Sequence, residues 1–204
     1  GMKMKIGILG GSFDPIHVGH LLLAEQARES AELDRVVFIP TYVSPFKVGA
    51  VAASGEDRFR MTELAAEGNP YFEVSDIELK AAEVSYTVHT MEQCEALYGP
   101  EAELFLITGT DAFLDMDRWY RAEELFRRYA ILVGNRPGKR EMELMEAMWR
   151  FKEKYGCRAR RIDMPRQDIS STDIRRRAAE GKSVKYLVPA GVEEYILRNR
   201  LYST

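Results

Sequence analysis

The chain has little of what most often marks a function. It holds two cysteines, three histidines and two tryptophans in 204 residues. Cys94 and Cys157 form no Cys-x-x-Cys pair and have no partnering histidines, which argues against a zinc finger or a thiol-redox motif. They read as free thiols in a reducing, cytoplasmic setting. No apolar run approaches the ~20 residues of a membrane-crossing helix, so no membrane partner is expected. The opening residues read as a short strand rather than a secretory signal, and Gly1 before Met2 reads as an expression-tag remnant. The formal net charge is −3, so no basic excess draws nucleic acid, and no nucleic-acid partner is expected. No compact group of carboxylates suggests a resident metal. No Gly-x-Gly-x-x-Gly follows the first strand-like run, and the second run ends in Pro40-Thr41 rather than an acidic residue, which argues against a nicotinamide-dependent dehydrogenase.

What is present is ordinary for a globular chain: 46% apolar and 30% charged residues, enough for one domain over residues 2–204. Strand-like runs at 4–9, 35–40, 72–75, 103–108 and 129–133 alternate with helix-like runs at 21–33, 57–67, 86–97, 119–128 and 141–155. Residues 159–164 read as an edge strand, and 171–180 and 191–199 as C-terminal helices. This alternation predicts a parallel sheet with helices on both faces. Residues 41–55 read as a long loop. Met142, Met145 and Met148 form a stripe that reads as packing, as does Trp149.

One segment concentrates chemistry. Ile8-Leu-Gly-Gly-Ser-Phe-Asp-Pro-Ile-His-Val-Gly-His20 runs from strand through a glycine turn into a helix. Gly10 and Gly11 would let backbone approach an anion. A helix starting near Gly19 would aim unpaired N–H groups and a positive dipole end at the same place. His17 and His20 lie one turn apart at the helix entrance, where each can donate to a phosphate oxygen, more strongly if protonated. The plain alternative is a tight turn with two histidines capping a helix.

Gly10-Gly-Ser-Phe-Asp-Pro-Ile-His-Val-Gly-His20 resembles the signature of the nucleotidylyltransferase superfamily, and most closely that of the bacterial nicotinate-nucleotide adenylyltransferase family. Ser12 stands where that family usually has Thr. The matches run in the family's order from Lys5 to Tyr202. The resemblance implies a Rossmann-like α/β domain that moves AMP from ATP, with Mg²⁺ carried by the ATP, onto nicotinate mononucleotide. Rival acceptors are nicotinamide mononucleotide and phosphopantetheine, and a non-catalytic nucleotide sensor of the same fold is a further rival. The sequence is compatible with a homo-oligomer.

Further segments match in turn. Ser44-Pro-Phe-Lys47 implies a phosphate contact for Lys47, with Phe46 departing from the family's His; a solvated surface lysine is the plain alternative. Ser85-Tyr-Thr-Val-His-Thr90 places Thr87 at a helix start suited to a carboxylate, with His89 where the family has Asp. Gly109-Thr-Asp111 implies a nucleotide contact through Gly109 and Asp111, or else an N-cap at Asp111. Trp119, followed by Tyr120, matches the tryptophan beside the nicotinate ring. Arg136-Pro-Gly138 leaves Arg136 either facing the nucleotide or capping a loop. Ile169-Ser-Ser-Thr-Asp-Ile-Arg175 starts with a capping pattern, Ser170-x-x-Asp173. The resemblance gives Ser171, Thr172 and Arg175 to the ATP phosphates, with Arg176 and Arg177 weaker candidates. With His17 and His20, Lys47 and Arg175 are the expected catalytic residues; Gly10, Gly11, Ser12 and Phe13 are expected to line ATP. Thr87, Trp119, Tyr120 and Arg136 are expected at the acceptor.

Overall fold

The protein is described here by a computed structural model covering residues 3–42 and 52–203. Strand β1 (Met4–Gly11) leads to α1 (Val18–Ala31) and β2 (Arg35–Pro40). Then come α2 (Gly55–Ala66), β3 (Phe72–Val74), α3 (Ile77–Ala81), α4 (Thr87–Tyr98) and β4 (Ala102–Gly109). Helix α5 (Thr110–Asp115), a single 3₁₀ turn (Met116–Arg118), α6 (Ala122–Arg128) and β5 (Ala130–Asn135) follow. Helix α7 (Glu141–Tyr155), β6 (Ala159–Asp163), α8 (Ser171–Ala179) and α9 (Ala190–Arg198) complete the described chain.

The six strands form one parallel sheet in the order β3-β2-β1-β4-β5-β6, a Rossmann-like arrangement. Runs of Val, Ile and Leu make strands that are buried through their centres, as parallel strands between helices must be. β6 is an edge strand, as its polar sequence predicts.

The chain divides into two compact units. The first comprises Gly1–Leu9, Leu23–Val37 and Tyr86–Gln167. In it β1 pairs with β4 in register, from Met4↔Ala102 to Leu9↔Ile107. Phe126 and Phe151 (4.8 Å) and Phe113 and Phe151 (5.2 Å) join the rings of three helices in its core. A Cβ on Gly134 would meet Leu23 Cδ1 at 2.8 Å, so α1 packs closely over this strand glycine and a larger residue would make the Leu23 side chain shift. The second unit comprises Gly10–Leu22, Phe38–Ser85 and Asp168–Thr204. Its core carries an aromatic chain, Phe13 to Phe38 (5.8 Å) to Phe72 (5.0 Å), and the buried side chains Met61, Ile174 and Val192.

Several expectations are corrected. Strands β1 and β4 run one or two residues further than expected and take in Gly10, Gly11 and Gly109. Helix α1 runs from Val18 to Ala31, starting near Gly19 as expected but three residues ahead of the helix-like run at 21–33. Helix α3, too short to show periodicity, was not anticipated. Residues Trp119–Arg121 are not helical; α6 begins only at Ala122, because Arg121 takes a left-handed backbone (φ 54°). The methionine stripe is not packing. Leu144, Ala147 and Phe151 form the buried face of α7, while Met142 is 88% and Trp149 65% exposed.

Candidate active site

The turn after β1 enters α1 through its two histidines. His17 is the residue before the first helical turn, and its Nδ1 accepts from Gly19 N–H at 3.0 Å. His20 reaches back, its Nδ1 accepting from His17 N–H at 3.1 Å. The spacing is that of a capping box, with imidazoles in place of hydroxyl and carboxylate. The two rings stack at 3.8 Å, and His20 meets Phe13 edge-on at 5.1 Å. A backbone N–H can only donate, so each Nδ1 must be an acceptor, and each neutral ring carries its proton on Nε2. The cap thus favours, in each ring, the tautomer that carries its proton on Nε2.

This geometry corrects two expectations. A second proton would have to sit on an Nδ1 that already faces an N–H, so these cap contacts oppose the imidazolium form for as long as they hold. The first turn of α1 also has no N–H to spare. Val18 N–H donates to Leu187 (2.9 Å), Gly19 and His17 donate to the imidazoles, and His20 N–H donates to His17 O (3.0 Å).

The segment between Gly11 and His17 is pinned by its carbonyls. Arg58 Nη1 donates to Ser12 O (2.7 Å) and Thr41 O (2.8 Å). Arg175 Nη1 donates to Asp14 O (2.8 Å), and Ser171 Oγ donates to Pro15 O (2.8 Å). Arg58 is buried, which pushes its pKa down, opposed by the nearby Asp14 and Tyr202. Ser170 caps α8 by accepting from Asp173 N–H (3.1 Å), while Asp173 pairs with Arg176 (3.1 Å). Thr172 is exposed, and its hydroxyl lies 3.5 Å from Arg175 Nη2. His17, Ser171 and Arg175 are thus gathered around one short turn, with Ser12 and the glycines leading into it. Phe13 departs from expectation: its side chain is buried, with a left-handed backbone (φ 48°), so any ligand contact there is through main chain.

The other expected residues lie in the first unit. Thr87 opens α4, and the preceding Tyr86 supplies no side-chain cap to that turn. Tyr120 stacks on Tyr86 at 4.3 Å, and His89 meets both rings edge-on, at 5.6 Å from Tyr120 and 5.8 Å from Tyr86. Trp119 is half-buried beside this exposed aromatic group in sequence. Asp111 is not an N-cap. The cap of α5 is Gly109, and Asp111 is an exposed first-turn residue paired with Arg140 at 2.8 Å. A Cβ on Gly109 would meet nothing within 4 Å, so open space adjoins this backbone. Arg136 is exposed, its carbonyl accepting from Lys139 N–H (3.0 Å). Lys47 and Phe46 lie outside the described residues.

Arg58, Asp14, Tyr202, Tyr86 and Arg140 were not singled out by sequence reasoning, although Asp14 lies inside the motif. Among the described residues no three His, Cys, Asp or Glu side chains group to hold a metal, and no helix is long and apolar enough to cross a membrane.

A Rossmann-like sheet whose first turn ends in a paired-histidine cap, backed by a serine- and arginine-bearing helix, defines a nucleotidyltransferase. Residues 8–177 match the cytidylyltransferase-like family. The chain is 44% identical over 200 residues to a protein of Dictyoglomus turgidum described as a probable nicotinate-nucleotide adenylyltransferase, covering 98% of this chain and 96% of that protein. It is 40% identical over 200 residues to one of a Thermoanaerobacter species with the same description, covering 98% and 95%. The fold matches the solved nicotinic acid mononucleotide adenylyltransferase of Plasmodium falciparum complexed with NaAD, with a TM-score of 0.78 and 18% identity over 97% of each chain. The chain belongs to the nicotinate-nucleotide adenylyltransferase family.

Proposed function

We infer that the protein transfers AMP from ATP to nicotinate mononucleotide, releasing pyrophosphate and forming nicotinate adenine dinucleotide for NAD synthesis. The observation that carries this reading is the reciprocal cap of His17 and His20, each Nδ1 accepting a backbone N–H, beside a turn to which Ser171 and Arg175 are bonded.

An oxygen of the acceptor phosphate attacks the α-phosphorus of ATP. The bond from that phosphorus to the bridging oxygen breaks, and pyrophosphate leaves with the electron pair. The attacking oxygen is already anionic, so no protein nucleophile is needed, and rate comes from alignment and charge stabilisation. His17 and His20 donate to the α-phosphate as charge builds there. Gly10, Gly11, Ser12 and the Phe13 backbone line the ATP, with Gly109 and Asp111 at the nucleoside. Ser171, Thr172 and Arg175 steady the departing pyrophosphate, and Lys47 places the acceptor phosphate. ATP enters as its Mg²⁺ complex, whose metal is held by phosphates and water. The start of α4 at Thr87 receives the nicotinate carboxylate, Trp119 and Tyr120 offer ring faces, and Arg136 adds a cation. We place this reaction in the cytoplasm, in keeping with two buried free thiols.

The test is incubation with Mg-ATP and either nicotinate or nicotinamide mononucleotide, with products identified by mass. Nicotinate adenine dinucleotide and pyrophosphate are expected, with little product from the amide. Preference for the amide would overturn the acceptor assignment and point to His89. ATP binding without pyrophosphate from either acceptor would make the chain a nucleotide sensor.

A further inference from the structure

Asp14 is 8% exposed, in the turn between β1 and α1. A carboxylate at that depth needs donors. Its Oδ1 receives two: Ala53 N–H at 3.1 Å and the hydroxyl of Tyr202 at 2.6 Å. Tyr202 is 188 residues away in sequence and 4% exposed. The tail reaches it by folding back after α9. Leu201 N–H donates to Ile196 O (3.0 Å), and Arg200 (φ 51°) and Tyr202 (φ 64°) both take the left-handed backbone that side-chain-bearing residues rarely adopt. Such conformations persist where the surroundings over-determine them. Burial and the Asp14 carboxylate push the Tyr202 phenol far up, so it keeps its proton and serves only as donor.

The same Asp14 accepts through its carbonyl from Arg175, and the next carbonyl, Pro15, accepts from Ser171. His17 follows two residues later. One residue therefore joins the tail, through its carboxylate, to the phosphate-handling helix, through its main chain. We propose that Tyr202 is a positioning residue for nucleotidyl transfer, its hydroxyl acting through Asp14 to set the turn against which Arg175 and His17 are registered. Tyr202 itself touches no reacting atom. The proposal rests on the adenylyl-transfer reading above.

Tyr202→Phe in the full chain keeps the ring and removes the donor. With the assay run well below the variant's melting temperature, kcat is expected to fall about 10- to 100-fold, the cost of a small misalignment. The KM for nicotinate mononucleotide should stay within about 2-fold, since the residues assigned to the acceptor ring lie elsewhere in the chain. Inorganic pyrophosphate, titrated calorimetrically without acceptor, should bind about 10-fold more weakly. Paired with Arg175→Ala, the losses should be less than additive, because part of the effect of Tyr202 runs through Arg175. A lower melting temperature with kcat and pyrophosphate affinity unchanged would overturn the proposal, leaving Tyr202 a prop for the fold. Additive losses would overturn its route through Asp14 and Arg175. If Tyr202→Phe fails to fold, Asp14→Asn, which keeps both acceptor contacts without the charge, must show the same pattern in smaller degree. A wild-type protein that binds pyrophosphate but turns over no acceptor would sink the activity, and the loss of pyrophosphate affinity in the variant would still decide the role of Tyr202.

Discussion

In the unit holding the His17–His20 turn, the site is anchored: each Nδ1, the carbonyls of Ser12, Asp14 and Pro15, and the Asp14 carboxylate have named partners. In the unit holding Trp119 and Tyr120, the candidates are mostly exposed and meet other exposed side chains, Tyr120 stacking on Tyr86 and Asp111 pairing with Arg140. The contrast follows the chemistry assigned to each. Charge stabilisation gains most from donors that need no reorganisation when charge develops. Reading a flat ring tolerates adjustable aromatic faces, whose contribution is mainly binding. Changes around the His17–His20 turn should therefore act on kcat, and changes at Trp119 and Tyr120 on the acceptor's KM.

The largest effect should come from His20→Ala, which removes both the proposed phosphate donor and the reciprocal half of the cap. Pyrophosphate release should slow by about two to four orders of magnitude, with folding retained; near-normal turnover would end the assigned role. Arg58→Met is next. It leaves the carbonyls of Ser12 and Thr41 without their buried donor, a loss of about 1–3 kcal/mol for each unsatisfied group. Urea denaturation should show that loss together with a fall in kcat, and a fully stable variant would mean the turn is not pinned from Arg58. Tyr120→Ala should raise the acceptor KM by about 10-fold while kcat changes little; a kcat loss instead would break the contrast. The smallest effect concerns the closed core beneath the exposed residues. Burial pushes the Cys157 thiol up to about 11. A raised pKa means stability that is complete below about pH 9, the ordinary thiol value, and is lost as pH climbs toward 11. Chemical denaturation midpoints should fall over that window, and Cys157→Ala should flatten part of the fall.

The two regions also differ in how far the sequence discloses them. The His-x-x-His turn is legible because its determinants are local: glycines, a cap spacing and a helix start within a dozen residues. The helix α7 matched its expected bounds because fifteen residues of amphipathic pattern outweigh end effects. Its orientation did not follow, since periodicity reveals two apolar stripes but not which one is buried; Leu144, Ala147 and Phe151 won, Met142 and Met145 are exposed, and Met148 is half-buried. The Tyr202–Asp14 and Arg58–Ser12 bonds span 188 and 46 residues, and nothing in local pattern carries information over such distances. The Asp111–Arg140 pair escaped for the same reason, and because Arg140 takes a left-handed backbone that its residue type does not advertise.

The contrast between an anchored phosphate region and an adjustable acceptor region can be tested in one experiment. Initial rates are measured for Ser171→Ala and Trp119→Ala in parallel, varying ATP and each mononucleotide acceptor. Ser171→Ala should lower kcat with both acceptors alike, and Trp119→Ala should raise the acceptor KM and shift the ratio of kcat/KM between acid and amide. If Trp119→Ala lowers kcat without touching acceptor KM, or Ser171→Ala changes acceptor preference, the division of labour is contradicted.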